Sequence, residues 1–261
     1  MQEMTKTFLA LLLAHLLGDF PFQSSRLAAQ KLRHWWAHGL HGGIHFVLLI
    51  LALIVFVPSL PVFTGRLLVA AVAYVVVHVV IDLSKQQLVK HGAVQDSTYV
   101  FLVDQTLYLA SIVALTVFIT RGDWQAFRSL MAVGSSTKEL ILPGAVVYTT
   151  VVFAGGYLIR YMTRGLLGGV SAQLGESVEQ LTNAGLYIGW LERLLIVTAV
   201  VLRSPTLIGL ILTAKSIARF PEMKEPKFAE YFLIGTLLSV ILALFGGLVL
   251  LKVWYGTVSL Q

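Results

Sequence analysis

The run Leu11–Phe20 is apolar throughout except for His15 and Asp19, an imidazole and a carboxylate four residues apart. Such a run, too apolar for a loop and too long for a strand, predicts a helix, and the four-residue spacing puts both side chains on one helix face, one turn apart. The same arrangement returns at His78 and Asp82 within Val75–Leu83, and between the two lies a run carrying His38, His41 and His45. Three successive apolar helices therefore each present a pair of potential ligands.

What surrounds these runs settles the solvent. Hydrophobic residues make up 57% of the 261 and charged residues 12%, and the mean hydropathy is +0.83. A soluble surface cannot be built from so little charge. The chain reads as all-α, a polytopic transmembrane helical bundle of six to eight spans, since a crossing takes roughly 20 apolar residues and the runs are continuous rather than alternating. No cysteine is present, so disulfides, thiolate metal sites and cysteine nucleophiles are excluded. A net charge of +6, spread over several loops, is a topology signal rather than a nucleic-acid surface.

The first span is expected over Thr5–Phe20, closed by Pro21; its His15 and Asp19 and the lack of a small-residue cleavage site argue against a secretory signal. A polar, basic connection follows, with Arg26, Lys31, Arg33 and the interfacial pair Trp35–Trp36. Spans two to four are expected over His38–Val57, Gly65–Leu83 and Thr98–Ile119, with a second basic loop holding Lys85 and Lys90. Both basic loops then lie on the cytoplasmic side of an inner (plasma) membrane. This topology brings His15, Asp19, His41, His45, His78, Asp82 and Asp104 to one level near that side. His38 is expected as a boundary residue, and His34 and His91 as solvated ones.

Aspartate at the centre of a membrane helix costs about 2.5–3.5 kcal/mol, so such residues face the bundle interior and find partners. The sequence local to these ligands supplies no lysine or arginine within the helices, which makes a bound cation the economical counter-charge. A single buried histidine is commonly structural; seven convergent ligands are a site. Nitrogen and oxygen ligands without sulfur suit a divalent transition metal, Zn²⁺ first, with Mn²⁺, Fe²⁺ or Ni²⁺ as alternatives, and seven ligands suffice for one or two ions. An aspartate among Asp19, Asp82 and Asp104 that is not a ligand is the candidate general base.

The segments Leu13–Phe20 with Gln23, His41 and His45, His78–Leu83 with Lys85, and Leu102–Gln105 together resemble a bacterial integral membrane family, Domain of Unknown Function 3307, over roughly the first half of the chain. In that family a histidine often follows the Asp-Gln pair by three residues; Tyr108 stands there in this chain. The resemblance implies a polar site in a membrane bundle and names no reaction.

The expected organisation is a four-helix core over 1–120, followed by further membrane helices over 121–261. Arg121–Leu142, with Trp124 and Phe127, is expected as an external loop. A span over Pro143–Tyr161 precedes an amphipathic interfacial helix near 170–183, and Tyr187–Val201, Thr206–Arg219 and the charged stretch after them suggest a hairpin or broken span before a last span over Glu230–Val253. Glu192–Arg193 can pair internally or with Lys215 and Arg219. Gly42–Gly43, Gly155–Gly156 and Gly246–Gly247 permit close helix contacts within one chain or between copies in a homo-oligomer. The leading functional expectation is a metal-dependent hydrolase at the cytoplasmic interface, with membrane lipids around it, a lipid or other small-molecule substrate, and no nucleic acid. A divalent-cation or proton-coupled transporter and a non-catalytic bundle with a structural metal are the alternatives.

Overall fold

The computed structural model describes residues 3–61, 64–122, 140–174 and 177–256, with side chains left aside over 167–184. It is helical, with no strand among the described residues. The chain divides into two compact units, Met1–Val146 and Val147–Gln261.

The first unit contains α1 (Glu3–Asp19), α2 (Ser25–Lys31), α3 (Trp35–Phe56), α4 (Gly65–Lys90) and α5 (Thr98–Thr120). Contacts at both ends define an up-and-down bundle. Glu3, at the start of α1, meets Ser59 beyond the end of α3 at 3.2 Å, and Arg66, at the start of α4, reaches the carbonyl of Phe118 near the end of α5. At the opposite end Phe20 packs on Phe101, with ring centroids 6.5 Å apart. Consecutive long helices are therefore antiparallel, and α1 closes the bundle against α5. Helices α3, α4 and α5 are each long and apolar enough to cross a membrane. Helix α1, with 17 residues, rises about 25 Å and runs alongside them.

Two local differences from the sequence reading matter for the site. The basic connection after Pro21 contains a short helix, α2, whose N-cap Ser24 accepts a hydrogen bond from the Leu27 amide at 3.2 Å. Helix α4 continues past Leu83 to Lys90 and stops at Gly92, whose φ is +68°. The apolar pattern ends at Leu83, but Ser84–Lys90 are adequate helix formers, and Lys85 and Gln86 gain partners by staying helical.

In the second unit, a helix that starts in the first, α6 (Ile141–Thr149), passes through a π turn at Thr150–Ala154 into α7 (Gly155–Leu174). Then come α8 (Ser177–Val201), α9 (Pro205–Ala218) and α10 (Pro226–Tyr255). Helices α8 and α9 form a hairpin whose turn places Arg203 at φ +55°. The continuous helix from Ile141 to Leu166, and α10, are both long and apolar enough to span, which makes five such helices among the described residues. Val151, Ile196, Val197, Ala243 and Leu250 form the core.

Small residues set the helix spacing here. A Cβ on Gly247 would lie 2.6 Å from the Cβ of Val200, and Cβ atoms on Gly155 and Gly246 would overlap Leu242 and Val151. In the first unit Gly42 packs on Val75 and Val79, whereas Gly43 faces open space. Glu192 pairs with Lys215 across the α8–α9 hairpin. Its neighbour Arg193 turns inward and donates to the Val152 carbonyl from Nη2 at 2.8 Å and Nε at 3.2 Å, and to Ser239 Oγ at 3.3 Å. The π turn supplies that acceptor, because the widened ladder presents a carbonyl to a side chain. Of the remaining expectations, the external loop falls mostly on 123–139, outside the described residues. The amphipathic helix near 170–183 covers the end of α7 and the start of α8, and its apolar and polar faces lie among side chains not described.

Candidate metal centre

The antiparallel order of α1, α3, α4 and α5 stacks their side chains in layers. Asp19 closes α1, His41 and His45 lie in the first half of α3, and His78 lies midway along α4; the bundle brings all of them together. Asp19 Oδ1 lies 3.0 Å from His45 Nε2, 3.2 Å from His41 Nε2 and 3.3 Å from His78 Nε2. His15 Nε2 lies 3.7 Å from Asp19 Oδ2, and His41 and His78 face each other through Nε2 atoms 3.3 Å apart. One ligand atom each from His15, Asp19, His45 and His78 falls within 4.8 Å of all the others, an arrangement that can hold a metal ion. The four imidazoles are 0–3% exposed.

Hydrogen bonding alone accounts poorly for this convergence. A carboxylate oxygen has two lone-pair directions, and three ring nitrogens crowd the same oxygen. The Nδ1 atoms of His15, His41, His45 and His78 are buried without hydrogen-bond partners, and all four rings meet Asp19 through Nε2. Ligands roughly 2.0–2.1 Å from a four- or five-coordinate ion stand about 2.9–3.5 Å apart, close to the Asp19–imidazole separations of 3.0–3.7 Å. The donor set, neutral imidazoles with one carboxylate and no sulfur, fits a borderline divalent transition metal. Gly18 is part of the construction: a Cβ there would lie 2.5–2.8 Å from the His45 ring atoms, so the α1–α3 approach that delivers His45 to Asp19 requires glycine.

One turn toward the bundle end lies a second polar layer. Asp82 Oδ2 accepts from Lys31 Nζ at 2.6 Å and faces His38 Nδ1 at 3.2 Å. His38 Nε2 faces the Lys31 carbonyl at 3.2 Å and Gln86 Oε1 at 3.0 Å, and Lys31 Nζ also donates to Gln23 Oε1 at 3.4 Å. Asp104 pairs with Lys85. The sequence expectation placed Asp82 and Asp104 among the ligands; they stand outside the four-residue group, each on a lysine. The counter-charge for these two comes from α2 and from the extension of α4, the two features that the hydropathy pattern missed. His38 is buried and fully engaged rather than a boundary residue. His34 and His91 are exposed.

One turn away from the second layer, on the far side of the imidazoles, the bundle is filled by Leu11, Leu49, Tyr74 and Ile112, and beyond them by Leu53, Ala71 and Leu115. The hydroxyls of Thr7 and Thr116 in that half turn back onto the carbonyls of Glu3 and Ile112. Tyr108 forms part of the wall of the site: its ring stacks on His78, centroids 4.3 Å apart and planes at 22°, and lies 5.0 Å from His15. Sequence reasoning missed Tyr74, whose position one turn before His78 was the available signal.

Residues 7–133 match the family described as Protein of unknown function (DUF3307), the stretch that contains every residue of both polar layers. No curated protein and no solved structure matches the chain.

Proposed function

We propose that this membrane-spanning protein is a metal-dependent hydrolase that holds one divalent transition-metal ion, Zn²⁺ first among the candidates, through His15, Asp19, His45 and His78 with His41 beside them. The observation that carries the metal is the convergence of four Nε2 atoms on the carboxylate of Asp19. In such a site the ion supplies Lewis acidity and a lowered pKa for water.

The layering supports hydrolysis over transport. Polar side chains continue from the buried imidazoles to Asp82 and Lys85, which are 20% and 22% exposed, and this favours access for water and a polar head group from that end of the bundle. Among the described residues the other half is filled mainly by apolar side chains, and its buried Thr7 and Thr116 hydroxyls are turned onto backbone carbonyls, which gives a cation little to continue across on. Asp82, one turn from His78 and outside the ligand group, would serve as the base that takes a proton from water and returns it to the leaving oxygen. Lys31 and Lys85 favour an anionic group, and the position at the membrane boundary favours a lipid or lipid-linked ester. The basic residues around this end, Arg26, Lys31, Arg33, Lys85 and Lys90, support a cytoplasmic orientation.

The test is turnover of phosphate and carboxylic esters of lipids by metal-loaded protein in mixed micelles. Asp82→Asn is expected to keep the metal and lose about 100-fold or more in kcat. Absence of turnover across both ester classes, or an Asp82→Asn variant as active as wild type, contradicts the hydrolase reading.

A further inference from the structure

The apolar layer beneath the imidazoles has one polar atom that the site as described does not use. Tyr74 is 5% exposed, and its hydroxyl is buried with no hydrogen-bond partner. It occupies the same register on α4 that Leu11 occupies on α1, Leu49 on α3 and Ile112 on α5: one turn from His78, His15, His45 and Tyr108 respectively, on the side away from the second layer. Those three neighbours are 0–2% exposed and offer no acceptor. The Tyr74 ring lies 6.1 Å from the His78 ring, centroid to centroid. Phenylalanine would fill the same volume without burying an unsatisfied hydroxyl in the apolar half of a membrane bundle. The protein offers the hydroxyl no partner, so one has to come from a group that the protein itself does not supply, bound beside the imidazole layer that the Tyr74 ring adjoins.

We infer that Tyr74 is the hydrogen-bond donor to a non-protein ligand of the metal, the water or substrate oxygen at the coordination position that the protein leaves free. This rests on the metal site proposed above. Tyr74 would be a positioning residue: it does not hold the ion, and it fixes the direction from which an oxygen or a small anion approaches it. Three imidazoles and Asp19 then bind, while the floor of the site orients. Tyr108 has a different part, since its ring face is committed to His78.

The test uses detergent-purified full-length protein loaded with Co²⁺, whose visible absorption reports ligands added to the ion, with azide as the probe anion. Wild type and Tyr74→Phe are expected to bind the same amount of Co²⁺, with azide binding weakened about 3- to 10-fold in the variant, the loss of one hydrogen bond. Leu49→Val, a change to the same layer without a polar atom, is expected to leave azide affinity unaltered and so separates the hydroxyl from general loosening. Equal azide affinity in wild type and Tyr74→Phe overturns the inference, as does equal weakening in Leu49→Val. Loss of Co²⁺ from Tyr74→Phe also overturns it, since the residue would then be holding the ion. If wild type itself takes up no Co²⁺, the metal site fails and this role fails with it.

Discussion

Asp19→Ala is expected to lower metal affinity by more than about 100-fold, the largest effect of any single change in this chain. Losing an outer partner of a metal ligand typically costs 10- to 100-fold, and Asp19 is both a ligand and the atom on which the set is centred. Its Oδ1 lies within 3.3 Å of three Nε2 atoms, and it supplies the only negative charge in the four-residue group. Without it a divalent ion would sit among neutral imidazoles in an apolar surround, where an unbalanced charge is strongly penalised. Asp19→Asn keeps the shape and removes the charge, so it separates the two contributions and is expected to fall between wild type and alanine. Competition against a chromophoric chelator in detergent measures all three. An Asp19→Ala protein that binds within a few-fold of wild type would mean that the imidazoles are not arranged around a cation.

The second large effect is on stability, in the other unit. Arg193→Ala is expected to destabilise the protein by about 2–4 kcal/mol, since charged hydrogen bonds contribute about 1.5–3 kcal/mol each and their loss strands buried acceptors. The guanidinium is 3% exposed and serves the Val152 carbonyl twice and Ser239 once. Removing it leaves a π-turn carbonyl unsatisfied in an apolar core and a void against Gly156, where Nη2 lies 2.6 Å from a built Cβ. Arg193→Lys is not expected to restore stability, because an ammonium cannot span three donor positions on a planar fork. Titration of unfolding with a denaturing detergent measures the loss. Wild-type stability in both variants would show that the π turn does not depend on this side chain.

Most of the first unit could be read from the chain. The imidazole–carboxylate spacing put His15 and Asp19, and His78 and Asp82, on single helix faces, and alternation of direction through the basic connections put those faces at one level. What the pattern could not carry was the detail that assigns each carboxylate. Hydropathy marks where apolar residues stop and not where a helix stops, so the apolar pattern ends α4 at Leu83 and leaves out Lys85, which the longer helix aims at Asp104. Helix α2 is too short for periodicity to reveal, and with it went the pairing of Lys31 with Asp82 and the burial of His38. Of the seven residues expected as ligands, four stand in a group that can hold a metal ion with His41 against it, and Asp82 and Asp104 lie on lysines one layer away. In the second unit the hairpin around Pro205 was legible, whereas the direction of Arg193 was not: nothing in the sequence near Val152 announces a π turn.

The central claim is that the imidazole layer holds a metal. The direct measurement is elemental analysis of protein purified in detergent without chelator, comparing wild type, the double variant His15→Ala/His78→Ala and His91→Ala. The expected result is one equivalent of a divalent transition metal in wild type and in His91→Ala, absent from the double variant. Wild-type protein that stays metal-free after exposure to Zn²⁺, Mn²⁺, Fe²⁺ and Ni²⁺, or a double variant that retains its metal, would contradict it and leave the layer as a hydrogen-bonded network around Asp19.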